Sequence, residues 1–179
     1  MSATHEQTLI EKCRNGETAA FGPLMKIYRK QLFSYLLRLS GNREDAEDIF
    51  QETLIKTWRG IKKYSNQQKF SSWLFAIAHN AAMDSLRKRK HVVVDIDTDK
   101  LIHPNDPVKE LINNETAGKI KMAVESLSIE QKGVFLLRIN SGMKFKEIAK
   151  LTNEPLNTVL SHMRYSINKI KMLLGTEND

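Results

Sequence analysis

Gly142-Met-Lys-Phe-Lys-Glu-Ile-Ala-Lys-Leu-Thr-Asn-Glu-Pro155-Leu-Asn-Thr-Val159 is the stretch that decides the fold. Its first half predicts a short helix over 144–151. Thr152-Asn153-Glu154 then interrupts the run, and Pro155 suits a first helical position, where a missing N–H is no loss. The helix that follows carries Val159, Met163, Ile167 and Ile170 at spacings of 4, 4 and 3, a core-facing stripe. Its other face offers Thr158, Ser161, His162, Arg164, Tyr165 and Lys169. Small Ala149 suits the crossing of the two helices, with Ile148 and Val159 fixing their angle. Upstream, Ser128-Ile-Glu-Gln131 has capping-box form and opens a helix bearing Val134, Phe135 and Leu137. Helix, tight turn, and a longer helix with polar residues at its start make a helix-turn-helix, whose last helix reads the major groove. The pattern alone leaves an ordinary helical hairpin open, because this helix is only modestly basic.

The rest of the chain also reads as helix. Gly and Pro sit at boundaries, and helices are expected over 5–14, 18–39, 43–60 and 71–90, then 110–126, 128–140, 144–151 and 155–173. In 45–59, Ala46, Ile49, Phe50, Leu54 and Trp58 fall on one face. In 72–90, Trp73, Leu74, Ile77, Ala78, Ala81 and Leu86 do the same. The expected fold is all-α: two small helical domains, 1–90 and 118–179, joined by a flexible linker over 91–117. Charge divides the same way, at +7 for 1–90, −4 for 91–117 and +4 for 118–179. The acidic connector holds His103-Pro-Asn-Asp-Pro107, which punctuates a chain. The alternative makes Val92–Ile96 a short strand of a single α/β domain.

Helix 43–60 opens Arg43-Glu-Asp-Ala-Glu-Asp48. Acids in a first turn favour the helix dipole, which is reason enough for Glu44, Asp45 and Glu47. Asp45, Asp48 and Glu52 also form one stripe at i, i+3 and i+7, with Gln51 beside it. That stripe is either a solvated face or a dock for a basic protein surface. Tyr64-Ser-Asn-Gln-Gln-Lys-Phe70-Ser-Ser-Trp73 mixes aromatics with amides before the next helix, which Ser71 or Ser72 can cap. Aromatic platforms with nearby cations hold single-stranded nucleic acid. Asn80, Asp84 and Arg87 share a face of that helix, which ends Arg87-Lys-Arg-Lys90. Core aromatics with a solvated basic end, and a nucleic-acid surface, both fit.

Several classes are excluded. One cysteine, Cys13, allows no internal disulfide, and on an amphipathic helix it reads as a small buried hydrophobe. No apolar run reaches the roughly 20 residues of a membrane helix. Met1–Glu11 lacks the basic-then-apolar layout of a signal peptide, so a soluble cytoplasmic chain without membrane insertion is expected. His5, His79, His91, His103 and His162 show no metal-ligand spacing, and there is no Gly-rich phosphate loop or Gly-x-Ser-x-Gly. The expectation is a non-enzyme with no catalytic residues, no metal and no cofactor. A net charge of +7 points to an acidic partner such as nucleic acid.

Together these residues resemble the extracytoplasmic-function branch of the bacterial sigma-70 family, short sigma factors with only regions 2 and 4. Asp45-Ala-Glu-Asp-Ile-Phe-Gln-Glu52, continuing to Trp58, is similar to the helix that binds the polymerase β′ clamp. Phe70-Ser-Ser-Trp-Leu-Phe-Ala-Ile-Ala-His-Asn80, with Asp84 and Arg87, is similar to the −10 region. Leu127 through Arg138, Gly142–Ala149, and Pro155 with Asn157-Thr-Val159 resemble region 4. The resemblance implies a sigma factor that binds core RNA polymerase, through the β′ clamp and β flap, and directs promoter-specific initiation in the cytoplasm. Its DNA is the promoter, recognised at −35 and −10 and melted at −10, and its further partner an anti-sigma factor. It assigns Asp45, Asp48, Gln51 and Glu52 to core polymerase. It assigns Tyr64, Phe70, Trp73, Ile77, Asn80, Arg87, Lys88 and Lys90 to −10 DNA. It assigns Asn157, Thr158, Ser161, His162, Arg164 and Tyr165 to −35 DNA. The chain departs from the family at Asn157, where Gly is frequent, and at Leu160, His162, Tyr165 and Ile167, where cations are frequent. The competing readings are a conventional helix-turn-helix regulator and a sigma-like decoy that binds polymerase but reads DNA poorly.

Overall fold

The computed structural model describes residues 3–65, 69–93 and 115–174. Among them the secondary structure is entirely helical: α1 Ala3–Arg14, α2 Phe21–Ser40, α3 Arg43–Gly60, α4 Phe70–Val93, α5 Glu115–Glu125, α6 Ile129–Ser141, α7 Phe145–Thr152 and α8 Leu156–Leu174, with 3-10 turns at Thr18–Ala20 and Ile61–Lys63. The expected helices are present with ends within three residues, apart from 110–114, which lies outside the described residues. Val92 and Val93 close α4 rather than opening a strand. The rest of that proposed strand, and most of the acidic connector (94–114), also lies outside them.

The chain divides into two compact units, one built on α1 to α4 and the other on α5 to α8. Local chemistry sets the element ends. Gly41, at φ 82, takes the left-handed conformation that ends α2, and its N–H donates to the Leu37 carbonyl at 3.0 Å. Asn42 then caps α3, its Oδ1 accepting the Asp45 N–H at 2.9 Å. The Ser128/Gln131 box closes as the sequence predicts. The Gln131 N–H donates to Ser128 Oγ at 3.3 Å, and the Ser128 N–H to Gln131 Oε1 at 3.1 Å. Asn153, at φ 56, ends α7, and Pro155 stands one position earlier than expected, just before α8, its carbonyl accepting from Thr158 and Val159.

The first unit's core includes Leu24, Leu32, Tyr35, Leu36, Ile61, Leu74 and Phe75, all fully buried. Tyr35 meets Phe75 edge-on at 5.3 Å, and its hydroxyl hydrogen-bonds His79 Nδ1 at 2.8 Å. Cys13 is fully buried, and that burial, with Glu17 nearby, pushes its thiol pKa up. The buried line of α3 differs from the expected stripe: Ala46, Ile49, Thr53 and Thr57 go inward. Both threonine hydroxyls donate 2.7 Å bonds to carbonyls four residues back, which lets them enter the core without an orphaned donor. Phe50, Leu54 and Trp58 flank that line half-buried, Phe50 against Phe33 and Trp58 against Phe21.

In the second unit, α5 and α7 pack on α8, and Val124, Val134, Leu136, Leu137, Ile148 and Val159 are buried. The α8 stripe also needs correction: Ile167 is 37% exposed, and Ser166 is buried in its place. At about 100° per residue, Ser166 falls within about 20° of Val159 around the helix and Ile167 about 80° away. Ser166 satisfies its hydroxyl on the His162 carbonyl at 2.8 Å.

Candidate nucleic-acid and protein interfaces

Residues on α3 separate into an inward and an outward set. Asp48 and Gln51 are exposed, and Glu52 pairs with Lys56 at 2.7 Å on the surface of the same helix. Asp45 does not belong with them. Its side chain is only 18% exposed, receives a hydrogen bond from Asn42 Nδ2 and forms an ion pair with Arg89 of α4. It ties the start of α3 to the far end of α4, so the outward stripe reduces to Asp48, Gln51 and Glu52.

The aromatics before and at the start of α4 also divide. Tyr64 and Phe70 are 5% and 3% exposed. They pack edge-on at 5.3 Å, with Tyr28 at 5.6 Å from Phe70. Their mutual packing makes a floor beside Trp73. The Tyr28 hydroxyl donates to Glu6 Oε1 of α1 at 2.5 Å, which anchors that floor from below. Burial raises the phenol pKa of both Tyr28 and Tyr64, so both rings stay neutral. Trp73 is half-buried on top, 5.1 Å from Tyr64 and 5.5 Å from Phe70. Residues 66–68 of the intervening loop lie outside the described set. Ser71 and Ser72 lie within the first turn of α4 rather than ahead of it, because the helix opens at Phe70.

From Trp73 a ridge runs along α4 through Ile77, Asn80, Asp84, Arg87 and Lys88, at steps of four, three, four, three and one. It is half-buried at its aromatic end and exposed from Asn80 onward, and it spans roughly 22 Å at 1.5 Å per residue. Asp84 offsets part of the positive end, 3.7 Å from Arg87. Arg89 is turned aside to Asp45, and the side chain of Lys90 lies outside the described residues. On the opposite side of α4, burial lowers the His79 pKa from 6.5 to about 4, so its ring is neutral and structural.

On α8, Asn157, Ser161, Arg164 and Tyr165 are exposed and Thr158 is half-buried. Tyr165 carries Lys169 over its ring at 5.9 Å. His162 stands apart. It is half-buried, with Nε2 3.3 Å from Glu154 Oε1, so it braces the turn before α8 instead of projecting with the other five. Exposed Leu160 and Ile167 flank the polar face.

Four features had no clear signal in the sequence: the Asp45–Arg89 pair, the Glu6–Tyr28 bond, the packing of Gly60 beneath Trp73, and an apolar groove. Cβ atoms are absent at Gly60, and one added there would lie 3.1 Å from Trp73 Cζ2. The groove, of about 510 Å³, is lined by Thr18, Phe21, Leu54, Ile55, Trp58 and Arg59. Among the described residues no cluster of His, Cys, Asp or Glu could hold a metal ion, and no helix is long and apolar enough to cross a membrane.

The first unit is a four-helix body with an aromatic-to-basic ridge along α4, and the second ends in the helix-turn-helix pair α7 and α8. Two family models match, sigma-70 region 2 over residues 24–92 and sigma-70 region 4 over 117–165. The chain belongs to the sigma-70 family of transcription initiation factors, in its extracytoplasmic-function branch. It is 29% identical over 164 residues to the ECF RNA polymerase sigma factor SigW of Bacillus subtilis, covering 84% of this chain and 86% of that one. It is 28% identical to the ECF RNA polymerase sigma-E factor of Haemophilus influenzae, covering 88% and 89%. Among solved structures it is similar to the sigma factor RpoE of Bartonella quintana in complex with the anti-sigma factor NepR. That match has a TM-score of 0.70 and 24% identity, over 88% of this chain and 98% of that one. CnrH in complex with the cytosolic domain of CnrY matches with a TM-score of 0.64 at 18% identity, over 97% and 99%. At those identities the two structures speak to the fold.

Proposed function

We propose that this chain binds core RNA polymerase in the cytoplasm, places it at promoters through −35 and −10 elements, and melts the −10 region. The observation that carries this is the α4 ridge, which sets an aromatic at one end and exposed cations at the other. Strand opening needs both. A base that leaves the stack must be received by an apolar or aromatic surface, and its phosphates must be held. Trp73 and Ile77 supply the surface, Asn80 supplies hydrogen bonds to a base edge, and Arg87 and Lys88 hold phosphate, with Lys90 next in line. Tyr64 and Phe70 act by supporting Trp73.

Asp48, Gln51 and Glu52 form the dock for the basic β′ clamp, and the α5–α8 unit meets the β flap. Asn157, Thr158, Ser161, Arg164 and Tyr165 face the −35 duplex, with His162 orienting the helix start. The domains run as 1–90 and 118–179, with 91–117 as the tether. By likeness to RpoE, which is in complex with an anti-sigma factor, such a factor is the regulatory partner that covers these surfaces. The test is transcription by core polymerase reconstituted with the chain, with transcript 5′ ends mapped. Starts clustered behind a common upstream pair of elements support the reading. Duplex binding by the free chain, with no polymerase-dependent starts, would point instead to a conventional helix-turn-helix regulator. Core binding without directed starts would point to a decoy.

A further inference from the structure

Gly60, the last residue of α3, has φ −89 and ψ −19, ordinary right-handed helical backbone. No left-handed turn calls for a glycine here, and alanine would be favoured by roughly 1 kcal/mol of helix propensity. What the missing side chain provides is room. A Cβ at position 60 would lie 3.1 Å from Trp73 Cζ2 and 3.6 Å from Cη2, and from nothing else within 4 Å. Tyr64 and Phe70 also pack on Trp73, at ring-centroid distances of 5.1 and 5.5 Å. Those two rings are themselves buried. Trp73 itself is only half-buried.

We propose that Gly60 is a positioning residue for promoter opening: its bare Cα is the seat that sets how deep the Trp73 indole sits at the head of the α4 ridge. This rests on the assignment of Trp73 to the melting surface. A side chain on Gly60 lifts the indole and makes the surface that receives the displaced base shallower. The two atoms concerned, Cζ2 and Cη2, belong to the benzo ring of the indole, which a phenylalanine lacks. Gly60 and Trp73 are therefore matched in size, and shrinking one relieves enlargement of the other.

The experiment is a four-corner comparison of wild type, Gly60→Ala, Trp73→Phe and the double variant, each bound to core polymerase. Opening is read from 2-aminopurine placed in the non-template −10 strand of a promoter mapped from reconstituted transcripts. Affinity for core polymerase and thermal unfolding are read in parallel. Gly60→Ala is expected to lower the opening equilibrium about tenfold, as a small overpacking does, while affinity for core polymerase stays within twofold. In the Trp73→Phe background the same change is expected to alter opening less than twofold. Without DNA, acrylamide quenching of Trp73, read in a Trp58→Phe background, is expected to rise on Gly60→Ala. If Trp73→Phe lowers opening but Gly60→Ala does not, or does so equally in both backgrounds, the proposal is overturned while the function stands. Unchanged Trp73 quenching also overturns it. If Trp73→Phe leaves opening at the wild-type level, the assignment of Trp73 to melting fails, and the proposal falls with it.

Discussion

His79 makes the first unit sensitive to acid. Its ring is buried in α4 and bonded to Tyr35, and burial lowers its pKa from 6.5 to about 4. In the unfolded chain the imidazole regains its ordinary pKa. Between pH 6.5 and 4 the unfolded state therefore binds a proton that the folded state does not. Stability from this group is fully present above pH 6.5 and is lost as the pH falls toward 4. Going from pH 7 to pH 5, the loss from this one site is about 2 kcal/mol. Both tryptophans, Trp58 and Trp73, lie in the first unit, so urea unfolding followed by tryptophan emission reports on that unit alone. His79→Gln keeps a polar group near Tyr35 Oη and removes the titration. The variant is expected to start less stable at pH 7 and to lose about 2 kcal/mol less than wild type on acidification. If wild type and variant lose the same amount between pH 7 and pH 5, burial of a neutral His79 is the wrong explanation.

Further predictions separate the floor from the surface. Phe70→Ala is expected to destabilise the first unit by about 3–5 kcal/mol, since it empties a buried ring site. Asn80→Ala, on the exposed ridge, should leave urea stability within about 0.5 kcal/mol yet reduce 2-aminopurine signal in the open complex; unaltered opening would remove Asn80 from the base-receiving set. Replacing Arg87 and Lys88 together by Ala should flatten the log–log salt dependence of promoter binding by roughly 1.8, at about 0.9 per phosphate neutralised. An unchanged slope would show that these cations touch no phosphate. Ser128→Ala should cost the second unit about 1 kcal/mol through loss of the α6 cap, read by circular dichroism; no loss would mean that the cap contributes nothing.

Element ends were legible because local chemistry sets them. Gly41 marks the end of α2, Ser128 and Gln131 close reciprocally, and Thr152-Asn153-Glu154 with Pro155 makes the turn into α8. The families of outward residues were legible as helix faces. What periodicity misread was which polar groups go inward. Thr53, Thr57 and Ser166 enter the core because each hydroxyl finds a carbonyl on its own helix. Composition-weighted stripes favour Phe50, Leu54 and Ile167 in those places. The Asp45–Arg89 pair was not legible because its two members lie 44 residues apart in the chain. The burial of Tyr64 and Phe70 was not legible either, because Phe70 packs on Tyr28 from a different helix.

The most direct measurement is the affinity of the purified chain for core RNA polymerase, with Asp48 and Glu52 intact and with both changed to arginine. Docking through the outward face of α3 predicts saturable binding that weakens tenfold or more on reversal, with unfolding unchanged. A chain that never binds the enzyme, or one whose binding ignores the reversal, contradicts it.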